Sequence, residues 1–274
     1  MTSFVIGDGE TASSARDGRS EAGLLLLFAR GQRPGRDALL EALDTIPSVT
    51  VSHDPVTAPS LGNDAGTTRG RPGSSHWLEL LTDGLTFDVL GLSPDPAIAV
   101  PTIRHHVAST AEDVTECEAI GVFPGPHIAH GAHALPVVRA MLRLGAALAR
   151  ELGTVRAVSW PPAGSSIAPE FFSSSVEAWL KGGPFPALGL VGIVFDDEGR
   201  LRSDGLSFFA GSELEFSDEL SRDRLAATRL FVRLIHELVG LDAPDETIQA
   251  TTEDAGILTL EPDPRDRLIR VKPG

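Results

Sequence analysis

The segment from Leu135 to Leu152 constrains the fold of this chain more than any other. Val137, Val138, Met141, Leu144, Leu148 and Leu152 recur at the helical period and line one apolar stripe. Pro136 stands in the first turn, where its missing donor costs nothing, and Gly153 follows the last stripe residue. The pattern predicts a helix over roughly 135–152. Strand-like stretches bracket it: Glu118–Phe123 before Pro124-Gly125-Pro126, and Arg156–Trp160 before Pro161-Pro162. A one-striped helix set among strands points to an α+β protein.

The remaining periodicity extends this reading. Leu24–Phe28 suits a buried strand, Leu39, Leu40 and Leu43 a helix near 37–44, and Val49 with Val51 a strand. Asp83-Gly84 predicts a hairpin joining 77–81 to 86–90. A short helix is expected over 103–112, a strand over 127–130, a helix from Pro169 to about Leu180, and one long helix from Asp218 to Val239. Leu188–Phe195, Glu213–Phe216, Ile257–Leu260 and Leu268–Val271 read as strand material, with a turn at Asp196–Gly199. Residues 1–20 have the composition of a flexible tail, and the Pro, Gly, Ser and Thr of 54–75 that of a long, disordered loop. The expected architecture is mixed, mainly antiparallel sheets with packed helices. It divides into an N-terminal half at 21–116 and a C-terminal half at 117–274, which can be two similar ferredoxin-like units.

The formal net charge is −15. Nucleic-acid binding needs Lys and Arg to neutralise phosphate, so that class is disfavoured, as are anionic membranes. The charge serves solubility and can attract a basic protein partner. The apolar run Leu24–Phe28 is too short to span a bilayer, and residues 1–20 lack the basic and apolar blocks of a secretory signal. A cytoplasmic location is expected. The single Cys117 permits neither an internal disulfide nor a cysteine zinc cluster, and it is read as structural beside Glu116 and Glu118.

The order of several short stretches resembles a bacterial family known as domain of unknown function 4261. They are His127-Ile128 before the long helix, Ala157-Val158-Ser159-Trp160-Pro161 after it, Pro169-Glu170-Phe171-Phe172, Ser203-Asp204-Gly205-Leu206-Ser207, and Gly211-Ser212-Glu213-Leu214-Glu215. The resemblance covers about residues 22–260. It departs at Ser203-Asp204, where the family has a threonine-containing run, and in the longer 54–75 loop. It implies no catalytic residue and no cofactor.

Candidate site residues are few. His127, His130 and His133 could bind zinc if gathered on one face, but Pro126 and Gly131 oppose a helix there, and a strand would send His127 and His130 to opposite faces. His105-His106 diverge on any regular element. His236-Glu237 opens like a zinc-protease helix, yet Gly240 stands where the second histidine belongs. Glu213 and Glu215 share a strand face, as paired carboxylates for acid–base chemistry would; with Asp204 they belong to the stretches that carry the resemblance, and there a catalytic site is sought first. A solvated sheet face beside buried Leu214 and Phe216 is the better account of the two glutamates. Phosphate-loop, dinucleotide and nucleophile-elbow signatures are missing. Two functions stand: a non-catalytic protein-binding or regulatory, immunity-like module, or a hydrolase using the carboxylates near Glu213 and Glu215 with a histidine from the other half. No cofactor is expected.

Overall fold

The computed structural model describes residues 23–57, 76–240, 244–252 and 256–274. The expected tail at 1–20, and the 54–75 loop from 58 onward, lie outside the described residues.

Leu24–Phe28 forms strand β1, with every residue buried. Helix α1 (Arg36–Asp44) follows, then β2 (Thr50–His53), β3 (Leu78–Thr82), β4 (Leu85–Leu90), β5 (His105–Val107) and the short helix α2 (Ala111–Val114). Next come β6 (Glu118–Pro124), α3 (Leu135–Leu152), β7 (Val155–Trp160) and β8 (Ser165–Ile167). These strands make an eight-stranded sheet in the order β2-β3-β4-β6-β1-β7-β8-β5. All its pairings are antiparallel except β5 with β8. The apolar run of β1 reflects its position: β6 and β7 flank it, and both its faces are covered. Leu24, Leu26 and Phe28 face the main core with α3, while Leu25 and Leu27 pack with Ile98, Ala119, Phe123 and Ala157 on the other side. The 21–116 and 117–274 stretches therefore interleave within one sheet. Sequence periodicity locates strands but not their distant partners.

The chain continues through α4 (Pro169–Leu180), the single turn α5 (Ala187–Leu190), β9 (Gly192–Phe195), β10 (Leu201–Asp204), α6 (Ser207–Ala210), β11 (Glu213–Phe216), α7 (Asp218–Ser221), α8 (Arg224–Leu238), β12 (Ile248–Thr252), β13 (Gly256–Asp263) and β14 (Leu268–Pro273). Its six strands form a second sheet, β12-β13-β14-β11-β10-β9, in which β11 with β14 is the parallel pair. Leu214 and Phe216 of β11 point inward, and Phe216 meets Phe231 of α8 edge-to-face with ring centroids 4.8 Å apart.

The α+β expectation and most elements match these observations. The Asp83-Gly84 hairpin forms with both residues at positive φ, 52° and 76°. Helix α3 spans 135–152, buries its stripe except for the half-buried Leu152, and ends at Gly153. Fully burying a side chain such as Met141 or Leu144 contributes on the order of 1.5–3 kcal/mol, so α3 fastens the first sheet.

Three local expectations are corrected. Residues 103–112 are not one helix; β5 occupies 105–107, and the short α2 begins only at Ala111, where Thr110 and Asp113 form a capping box. Residues 127–130 form turns and a 3-10 turn at Ala129–Gly131 rather than a strand. The long helix over 218–239 divides into α7 and α8, since Asp223 is extended and its carboxylate accepts from the Leu225 and Ala226 N–H groups. Strands β8 and β12 had no clear signal. Among the described residues, no helix is long and apolar enough to cross a membrane.

Candidate functional site

Asp204 ends β10 in the second sheet. Arg104 immediately precedes β5, the edge strand of the first sheet, and His105 opens it. The three side chains meet between the sheets. Arg104 Nε donates to Asp204 Oδ2 at 2.8 Å and Nη2 to Oδ1 at 2.9 Å. His105 Nε2 lies 3.0 Å from Asp204 Oδ2. Two glycines make room for this group. A Cβ on Gly164 would overlap the Arg104 guanidinium, and one on Gly192 would overlap the His105 imidazole. Burial alone would raise the Asp204 carboxyl, but the hydrogen bonds from Arg104 and His105 outweigh it and hold the carboxyl below its ordinary range. The arrangement supplies a carboxylate beside an imidazole, half of an acid–base set. Arg104 occupies both carboxylate oxygens.

Adjacent residues on β5 diverge. His106 Nδ1 lies 2.8 Å from Ser166 Oγ, and Ser109 Oγ lies 2.9 Å from the same oxygen. A serine beside a histidine resembles a nucleophile and its base. Ser166, however, has no solvent-exposed surface, so a substrate cannot approach it without the strands parting. Ser159, opposite Ser166 on β7, is equally buried.

Glu213 is fully engaged. It accepts from the backbone N–H groups of Gly205, Leu206 and Ser207 at 3.0, 3.1 and 3.1 Å, and from Ser203 Oγ at 2.5 Å. It thereby fixes the turn between β10 and α6. Glu215 is buried, with a side chain 8% exposed. It stands opposite Arg202 on β10 and Arg270 on β14. Arg202 reaches it at 3.2 Å, Arg270 at 3.6 Å and Arg200 at 3.9 Å. Asp204 and Glu213 thus lie near one turn with separate partners, while Glu215 belongs to an arginine network on the sheet surface. The sequence pairing of Glu213 with Glu215 correctly places both on one strand but does not make a dyad.

His127, His130 and His133 are all exposed on the turn-rich segment before α3. No group of three or more His, Cys, Asp or Glu side chains able to hold a metal ion occurs among the described residues. His236 is used structurally: its Nδ1 accepts from the Phe185 N–H at 3.0 Å. Cys117 Sγ contacts the Asp113 carbonyl at 3.2 Å. Burial raises its thiol, and nearby Asp113 adds to this against Arg156, which suits a packing role.

Sequence reasoning singled out Asp204 but missed Arg104 and His105 as its partners. The available signal was the Arg104-His105-His106 run itself, a cluster of cationic or polar residues at the start of a short edge strand. No protein-family model, curated protein or solved structure matches this chain.

Proposed function

We propose that this chain is a non-catalytic module that binds another protein, with a basic partner favoured by its net charge of −15. One observation carries the reading: its candidate acid groups are spent on internal contacts. Asp204 holds Arg104 and His105, Glu213 holds four donors, and Glu215 lies among three arginines. A general acid or base needs an accessible proton position near a substrate, and these carboxylates are committed to the fold instead. The test is affinity capture from lysate at low salt, followed by purification of the complex to defined stoichiometry. A basic partner retained at a fixed ratio and released as salt rises supports the reading. Failure to recover any stoichiometric partner across salt conditions overturns it.

A hydrolase reading keeps one specific support, the 3.0 Å contact between His105 and Asp204. It requires hydrolysis of an ester, phosphoester or peptide substrate that His105→Ala abolishes while the fold is retained. Unchanged turnover in that variant removes His105 from the chemistry.

A further inference from the structure

We infer that two copies of this chain join their second sheets edge to edge along β9, antiparallel about a two-fold axis at Val194. The contact goes beyond the basic-partner reading and does not depend on it. Strand β9 ends the second sheet and pairs with β10 alone among the described residues. In an antiparallel ladder, alternate residues turn both backbone groups to the same neighbour. The Asp196 N–H donates to the Arg200 carbonyl at 2.9 Å, and Val194 and Gly192, opposite Arg202 and Asp204, continue that phase. Ile193 and Phe195 therefore turn their N–H and C=O groups to the outer edge, where no backbone bond reaches them among the described residues. Two antiparallel copies would pair Ile193 with Phe195 twice over, each pair exchanging both of its bonds.

Bulges, charges and prolines are usual blocks on edge pairing. The sequence of β9, Gly192-Ile193-Val194-Phe195, carries none of them, and its register with β10 is unbroken. Its shortness limits the ladder, so side chains must extend the contact. Val194, opposite Arg202, is 38% exposed. It would meet its own copy at a non-hydrogen-bonded position, where side chains come closest. Leu188, 51% exposed, stands before β9 and is bridged to Val191. Leu225, 62% exposed, stands at the other end, next to Arg224, whose guanidinium lies 4.5 Å from the Phe195 ring centre. Antiparallel pairing brings the Leu188 end of each copy to the Leu225 end of the other and covers apolar surface that water now meets.

Charge selects a second copy, and selects this direction. In the turn after β9, Arg200 pairs with Asp196 and Glu198 but leaves the exposed Asp197 over. Arg104 is half exposed near the start of β9, where the adjacent His105 lies against Gly192. Its Nε and Nη2 serve Asp204, which leaves Nη1. An antiparallel pair sets Asp197 of each copy toward Arg104 of the other. A parallel pair would set the two acidic turns side by side, and like charges across a ladder are destabilising. A strand with one acidic and one basic end is complementary to itself under a two-fold axis.

The test is sedimentation of the full chain over a range of concentrations, at an ionic strength of about 0.15 M so that the net charges of the two copies are screened beyond about 8 Å. Dimers should form as concentration rises. Val194→Lys and Val194→Glu each set like charges directly opposite and should each abolish dimers, while an equimolar mixture of the two variants should restore them. Asp197→Lys should weaken the dimer by about tenfold. Melting of each variant at low concentration reports its fold. A measurement on the unaltered chain needs no variant: amide exchange at Ile193 and Phe195 should slow as concentration rises, while that of Val194, already bonded to β10, should not. A chain that stays monomeric up to about 1 mM overturns the proposal. So do dimers that survive both Val194 variants, or exchange at Ile193 and Phe195 that ignores concentration. A foreign basic partner captured by a monomeric chain leaves the protein-binding reading standing while this proposal fails, and dimers without any foreign partner do the reverse.

Discussion

Arg104 and Asp204 are joined by two parallel hydrogen bonds, 2.8 and 2.9 Å long, across 100 residues of sequence and between two sheets. The pair is partly open to water, with side chains 50% and 32% exposed, so its strength is that of a screened, bidentate contact. His105 and the clearance provided by Gly164 and Gly192 complete the joint.

Replacing Asp204→Asn should lower unfolding free energy by about 1 kcal/mol near neutral pH, after allowance for solvent screening. The pH dependence has a definite sign. The Asp204 carboxyl titrates lower in the folded chain than in the unfolded one. Its contribution is therefore complete above the unfolded aspartate value of about 3.9 and is lost as pH falls through the folded value. Denaturant titrations of both proteins from neutral pH downward should show the gap closing in acid. A gap that stays constant into strong acid would assign the loss to altered packing.

Gly192→Ala tests the same joint without touching a charged group. The new methyl overlaps the His105 ring, so the imidazole must leave Asp204 or the strands must shift. The expected loss is about 1–3 kcal/mol, typical of overpacking. In the double variant with His105→Ala, which empties the space, much of that loss should return. Equal losses in the single and double variants would mean that the backbone, rather than the ring, sets the cost.

How far this joint could be read in advance depends on the range of the contacts. The α3 stripe, the Asp83-Gly84 turn and the Glu213–Phe216 alternation are local, and each shapes nearby structure directly. Asp204 drew attention through the order of short stretches to which it belongs, not through a local period. Its partners were hidden because β5 has three residues, too few to show a period, and because its neighbour β8 follows some sixty positions later. The role of Glu213 was equally invisible. A carboxylate accepting from three successive N–H groups reads in sequence like any exposed strand glutamate.

That role gives a third expectation. Glu213→Ala removes the acceptor for the Gly205, Leu206 and Ser207 N–H groups and for Ser203 Oγ. Partly buried donors left without partners cost roughly 1–3 kcal/mol in total once water reaches some of them. Glu213→Gln keeps an acceptor oxygen and should recover part of the loss. Hydrogen exchange at 205–207 should accelerate in the alanine variant well before exchange in α3 does. Unchanged exchange there would show that the turn holds without its carboxylate.

His236 offers the last test, within the same core. Its Nδ1 accepts from the Phe185 N–H, and Phe185 packs edge-to-face on Trp179 at 5.4 Å and on Phe209 at 5.0 Å. An acceptor at Nδ1 requires the neutral ring with its proton on Nε2. His236→Leu leaves the Phe185 N–H without a partner and should cost about 1 kcal/mol. His236→Asn can present an oxygen near the Nδ1 position and should restore most of it. Trp179 fluorescence should report the change locally, because loosening of the Phe185 segment alters the ring packed on the indole. If the leucine and asparagine variants melt together, the hydrogen bond contributes nothing measurable, and Phe185 is held by its aromatic neighbours alone.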